Sequence, residues 1–208
     1  MDTAETSPFL AGKTGSGQAP SFSPDGERFA YYDTDLGGIH IIDLHTQQEG
    51  FVPSSVPDSG DWSPDGAKLI FTNHVPAPHE PFIEVNVVNL DTLQVTSAFD
   101  QSVTDTDFSQ PRWSPNDDWA AVSLRPVNSG INKALWVLRI GSTESRLVVD
   151  EPSATISSYR WDPWGHQLIY QRSDLNRSDP HISIWKWHWQ TQGSTMIIEN
   201  GGRAEWLP

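Results

Sequence analysis

Apolar and polar residues alternate along this chain in short runs, mostly four to six residues at a period of two, separated by clusters of Pro, Gly, Asp and Asn. Such alternation, rich in Val, Ile, Leu and aromatics, predicts β-strands, and no stretch carries the 3.6-residue period of an amphipathic helix. The strands come in sets. An aromatic residue closes a first strand, a tight turn follows, and a second strand is predicted at 28–32, 68–72, 119–123 and 167–171. A third and more β-branched strand is predicted at 39–44, 85–90, 135–140 and 182–187. A shorter fourth is predicted at 49–52, 94–99, 146–149 and 195–198.

The punctuation repeats as well. Ser21-Phe22-Ser23-Pro24-Asp25-Gly26 returns as Asp61-Trp62-Ser63-Pro64-Asp65-Gly66, then as Arg112-Trp113-Ser114-Pro115-Asn116-Asp117 and Arg160-Trp161-Asp162-Pro163-Trp164-Gly165. In this turn Pro presets φ, Asp or Asn caps with its side chain, and Gly takes the positive-φ position. The anchors Phe22, Trp62, Trp113 and Trp161 are spaced by 40, 51 and 48 residues, and Trp206 follows 45 residues later. Four strands per unit of this length is the signature of a propeller blade. The predicted fold is therefore all-β: a β-propeller of four-stranded antiparallel blades, with four full blades and one extra strand. The expected division is a lead or preceding-blade tail strand at 1–18, blades at about 19–58, 59–109, 110–157 and 158–202, and a closing strand at 203–208. Four blades and a strand do not close a ring by themselves. A piece of a longer propeller, or a ring completed by a second copy, is expected.

The aromatic-Ser-Pro-Asp-Gly turn, followed by an apolar strand and an Ile-x-Ile/Val-x-Asp-Leu-like strand, resembles the TolB-like family of WD-type propeller repeats over residues 19–208. The resemblance implies a scaffold that binds protein or peptide partners, in an extracytoplasmic setting. Propellers of this type also form the non-catalytic domain of prolyl-oligopeptidase-like serine peptidases, and cation- or carbohydrate-binding propellers make a third class. Fold alone does not choose among them.

Charge narrows the partners. The 208 residues carry 27 acidic against 13 basic side chains, a net −14, which disfavours nucleic acid and anionic membrane surfaces. No cysteine is present, so neither disulfides nor thiol chemistry arise. No apolar run reaches the roughly 20 residues of a membrane-spanning helix. Tryptophan is unusually frequent, at ten residues.

Candidate chemistry is sparse. No Gly-x-Ser-x-Gly elbow exists, so no catalytic residue is assigned and a non-enzymatic module is expected. The Ser-Pro-Asp-Gly turns leave little room for a ligand, whereas the opposite face carries the loops predicted at 33–38, 73–81, 125–133, 172–180, 53–60, 100–110 and 150–158. Binding usually sits on such loops. The residues proposed to meet a partner are Asp58, Asp100, Asp105, Asp107, His74, His79, Arg125, Arg172 and Trp189. The loop carboxylates, with Asp61, Asp150 and Glu151, are expected to make the channel mouth acidic. Asp105 and Asp107 are the candidate ligands of a divalent cation, although no calcium-loop pattern surrounds them. His74 and His79 share a loop without a third zinc ligand nearby. In Trp185-Lys186-Trp187-His188-Trp189, alternation sets the tryptophans on one face. Trp185 and Trp187 fall at inter-blade core positions, and Trp189 is expected to be exposed.

Overall fold

The computed structural model describes residues 16–75, 82–99, 106–116, 118–126, 133–176 and 181–201. Among these residues every regular element is a strand. The first sheet runs β1 (Gly17–Phe22), β2 (Arg28–Asp33), β3 (Gly38–Asp43), β4 (Glu49–Pro53) as an antiparallel meander. The second runs β5 (Asp61–Trp62), β6 (Lys68–Val75), β7 (Phe82–Asn89), β8 (Val95–Ser97). The third contains β9 (Thr106–Phe108), β10 (Arg112–Trp113), β11 (Trp119–Pro126), β12 (Ala134–Arg139) and β13 (Ser145–Val149). The fourth contains β14 (Ala154–Trp161), β15 (Gln167–Asp174), β16 (Ile182–His188) and β17 (Gly193–Glu199). These are four propeller blades. The expected strand at 203–208 lies outside the described residues.

The repeated turn is built as its chemistry dictates. Ser63 Oγ donates to Asp65 Oδ1 at 2.6 Å, Asp65 Oδ1 also accepts Ala67 N at 3.1 Å, and Gly66 takes φ +68°. Blade one repeats this with Ser23, Asp25 and Gly26. In blade four the capping role moves two residues back: Asp162 Oδ1 accepts the amides of His166 (2.7 Å) and Gln167 (2.9 Å). The tip residue is thereby released from the turn, and Trp164 occupies it with 68 % of its surface exposed. Successive turns are stitched together, Arg28 Nη1 to Gly66 O at 2.9 Å and Asn116 Nδ2 to Trp164 O at 2.7 Å. Asp117 lies outside the described residues.

The blades stack through three apolar seams. Ala30, Tyr32, Ile39, Ile41 and Val52 of the first blade meet Trp62, Leu69, Phe71 and Val88 of the second. Ile70, Val85 and Val87 of the second meet Phe108, Trp113, Ala120 and Val122 of the third. Trp119, Ala121, Leu135 and Val137 of the third meet Tyr159, Trp161, Leu168, Tyr170 and Trp187 of the fourth. Period-two alternation makes this arrangement necessary, since each blade has apolar residues on both faces and buries one against each neighbour. Full burial of one such side chain stabilises by about 1.5–3 kcal/mol, so the seams hold the arc together.

Two expectations change. Strands β6, β11 and β15 run three residues past their predicted ends, so Asn73, His74, Arg125 and Arg172 stand in ladders rather than loops. Their hairpins continue as ribbons, pairing Asn73 with Glu84, His74 with Ile83 and Ser173 with Ile182. Consecutive polar residues, as at Asn73-His74 and Arg172-Ser173-Asp174, lose the alternation by which a strand is recognised. The segment expected as a loop at 33–38 is a four-residue turn, capped by Asp33 Oδ1 accepting Asp35 N (2.9 Å) and Leu36 N (3.0 Å).

Candidate functional site

The inner strand of every blade is interrupted shortly before its anchor. In β1 the register with β2 shifts between Gln18 and Ser21, and Ala19 has φ +51°. Before β5, Gly60 takes φ +81°, where an added Cβ would lie 2.6 Å from Ile70 O. In blade three the strand breaks into β9 and β10 around Ser109–Pro111, both pieces pairing with β11. In β14 the register with β15 shifts between Ile156 and Ser158. Bulges re-aim side chains and recur beside binding sites.

Where the interruptions of blades three and four lie side by side, a cavity of about 360 Å³ opens, lined by Ser109, Gln110, Arg112, Ser157, Ser158, Tyr159, Arg160 and Gln171. Tyr159 seals the break behind it. Its hydroxyl accepts Ser123 N at 3.1 Å, a donor that the missing stretch of inner strand leaves free, and donates to Gln110 O. Trp161 Nε1 donates to Arg112 O at 3.1 Å across the same seam. Trp62 makes the equivalent reach to Ser21 Oγ at 3.0 Å, whereas the buried Nε1 of Trp113 has no hydrogen-bond partner among the described residues.

The residue just before each anchor sets the charge of the inner wall: neutral at Ser21, acidic at Asp61, basic at Arg112 and Arg160. Asp61 Oδ2 accepts Trp113 N at 2.7 Å and Oδ1 lies 4.0 Å from Arg112 Nη1. Arg112 Nη2 donates to Gln110 Oε1 at 2.7 Å. Asp58 Oδ1 accepts Gly60 N at 2.7 Å. Burial lifts the carboxyls of both Asp58 and Asp61 above the ordinary range, and the guanidinium groups of Arg112 and Arg160 only partly offset it. The side chain of Asp61 keeps 32 % of its surface accessible, so it is recessed rather than sealed. Lys133 Nζ donates to Ser109 Oγ at 3.0 Å at the cavity edge.

Among the described residues the inner wall is mixed in sign, and Asp100 and Asp105, which the expected acidic mouth also counted, lie outside them. Counting loop carboxylates missed the two arginines because they sit inside the repeat motif, where they read as strand residues. Their position immediately before Trp113 and Trp161 was the available signal.

The other candidates are dispersed. Arg172 forms a bidentate pair with Glu151, Nε to Oε2 at 2.6 Å, which holds the Glu151 carboxyl below its usual range. His74 is exposed, its amide donating to Ser55 Oγ at 3.2 Å. Arg125 pairs in register with Asp107, of which only the strand position is described. Asp100, Asp105 and His79 lie outside the described residues. Trp189 is not exposed as expected. The strand ends at His188, and Trp189 N donates to His166 O at 2.9 Å. The indole folds over the third seam on the turn side, 5.0 Å from Trp119 and 5.6 Å from Trp187, with Arg146 Cζ stacked 4.0 Å from its ring. Among the described residues no group of three or more His, Asp or Glu side chains could hold a metal ion, and no helix is long and apolar enough to cross a membrane.

No family model matches the chain. Over 124 residues it is 29 % identical to an uncharacterised protein of Agrobacterium fabrum, a match covering 54 % of this chain and 42 % of the relative's length. Among solved structures it is similar to an oligogalacturonate lyase in complex with manganese, with a TM-score of 0.66 and 18 % identity over 87 % of this chain and 52 % of that one. It is likewise similar to TolB from Acinetobacter baumannii, with a TM-score of 0.62 and 17 % identity over 89 % of this chain and 44 % of that one. The chain thus spans about half the length of these proteins or less. One of the two folds serves an enzyme, so the likeness concerns architecture: the chain is a β-propeller.

Proposed function

We propose that the chain is a non-enzymatic binding propeller that takes a protein or peptide partner on the face opposite the Ser-Pro-Asp-Gly turns, around the mouth of the inner wall. The observation that carries this reading is the cavity between the interrupted inner strands of blades three and four. Its lining offers hydrogen-bond donors and acceptors and two guanidinium groups. No nucleophile is paired with a base among these residues, and convergent polar groups on a rigid scaffold are what recognition requires. An extracytoplasmic setting accords with the family resemblance. Completion of the ring by further blades or by a second copy belongs to the same proposal, and the mass of the chain in solution reads the second alternative.

Selection of displayed peptides on the purified chain tests the function. The selected sequences are expected to lose binding to Arg172→Ala, which frees Glu151 at the mouth, and to keep it with Trp164→Ala on the turn side. Peptides that respond only to the turn-side variant, or that are turned over rather than bound, overturn the reading.

A further inference from the structure

We infer that the cavity between blades three and four is a carboxylate-binding pocket, and that the partner is held there by an acidic group. The inference rests on the binding function proposed above and names its chemistry. Arg112 and Arg160 occupy the same place in two consecutive repeats, the residue before the anchor, and both line this one cavity. Among the described residues, the lining groups that are charged at neutral pH are both arginines, although the whole chain carries a net charge of −14. A third cation, Lys133, reaches the edge through Ser109.

The geometry of the arginines supports the same ligand. A guanidinium presents five N–H donors in a planar fork that matches a carboxylate with two parallel bonds. Arg112 gives Nη2 to a neutral amide oxygen, that of Gln110, and stands 4.0 Å from the nearest Asp61 oxygen, beyond hydrogen-bond range. An entering carboxylate can take over the Gln110 contact, because a guanidinium pairs with a charged carboxylate bidentately and more strongly than with a neutral amide oxygen. Ser109, Ser157, Ser158 and Gln171 supply neutral donors for the second carboxylate oxygen or the adjoining amide. The neighbouring carboxylates of Asp58 and Asp61 set the limit on ligand charge. Asp58 and Asp61, which feel the field of both guanidinium groups, repel a dianion such as phosphate more strongly than a singly charged carboxylate.

The test uses the whole chain labelled with nitrogen-15, reading the side-chain Nε–H signals of Arg112 and Arg160. The probes are acetyl-Gly-Asp-Gly-amide, its Asn counterpart, acetyl-Gly-Gly-Gly with a free terminus, and inorganic phosphate. Saturable shifts of both arginines with the Asp peptide, at least tenfold weaker with the Asn peptide, are expected. The free-terminus probe separates a side-chain carboxylate from a chain end as the source. Arg112→Gln and Arg160→Gln are each expected to weaken the Asp peptide at least tenfold, and the Asp-against-Asn contrast on the unaltered chain stands even where a variant fails to fold. Equal responses to Asp and Asn, no saturable shift at either arginine, or a response to phosphate alone overturn the inference. A selected peptide that binds both glutamine variants as tightly as the parent chain also overturns it, and leaves the peptide-binding function standing. Carboxylate probes that bind where no selected peptide does uphold the pocket and remove the peptide partner instead.

Discussion

The first and third seams solve one packing problem with different materials. Between blades one and two the core is largely aliphatic, with Ile39, Ile41, Val52, Leu69 and Val88 around a single indole. Its channel end is closed by hydroxyls, Trp62 Nε1 on Ser21 Oγ and Ser21 Oγ on Ser59 Oγ at 3.1 Å. Between blades three and four the core is aromatic, with Trp119, Tyr159, Trp161, Tyr170 and Trp187 buried and Trp185 and Trp189 packed against them. Its channel end holds the arginine-lined cavity, and its turn end a second cleft of about 110 Å³ between Ser114, Asn116, Trp119, Gly165 and Trp189. Large rings meeting edge to face, such as Trp187 and Trp189 at 90°, span a wide seam without filling its two ends. An aliphatic seam closes down more evenly. The aromatic seam is therefore where this propeller combines stability with open space.

The largest expected effect separates the two seams directly. Trp187 is fully buried at the centre of the third, and Trp187→Ala should cost about 3–5 kcal/mol of unfolding free energy in urea. Ile39→Ala in the first seam should cost about 2–5 kcal/mol. A Trp187→Ala loss well below that of Ile39→Ala would show the third seam to be loosely packed. Next in size is the hydroxyl of Tyr159, which serves two backbone groups of the neighbouring blade. Tyr159→Phe orphans both, at about 1–3 kcal/mol for each. Tyr32→Phe in the first blade orphans a single group, Ser54 O at 3.1 Å, at about 1–3 kcal/mol. Equal losses in the two variants would mean that water replaces the hydroxyl in the strand break.

Much of this architecture was legible in the residues, and the reason is local. Ser63, Asp65 and Gly66 make their turn with each other, and Leu69 to Phe71 alternate because a blade has two covered faces. The strand extension at Asn73 and His74 was hidden because two consecutive polar residues break the alternation that reveals a strand. The cavity was hidden for a different reason. It depends on where Ser109–Pro111 breaks one inner strand and Ser157 bulges another, 48 residues apart, and no local pattern registers that coincidence. Trp189 shows the same limit, since its burial depends on Arg146 and Trp119 arriving from another blade.

The smallest expected effect concerns charge at the channel ends of the seams. The hydroxyl end of the first seam, Ser21 and Ser59, does not titrate in the physiological range. At the next seam Asp58 and Asp61 are held above the ordinary carboxyl range, burial outweighing the attraction of Arg112 and Arg160. A carboxyl raised in the folded state costs stability when ionised, and the cost is relieved as pH falls through its folded pKa, where the native chain binds more protons than the unfolded one. The turn carboxylates act in the opposite sense. Asp25 and Asp65 are held low by the hydroxyls of Ser23 and Ser63, so their contribution is present at neutral pH and lost only as pH falls below the ordinary carboxylate range. Thermal stability should accordingly rise on mild acidification from neutrality and then fall. Asp61→Asn keeps an acceptor for Trp113 N and removes a raised carboxyl, so it should be the more stable at neutral pH, with its advantage shrinking as the medium is acidified. Melting curves for the two chains across that range decide the matter. Parallel profiles would mean that Arg112 compensates Asp61 fully, and the recessed charge would no longer distinguish the second seam from the first.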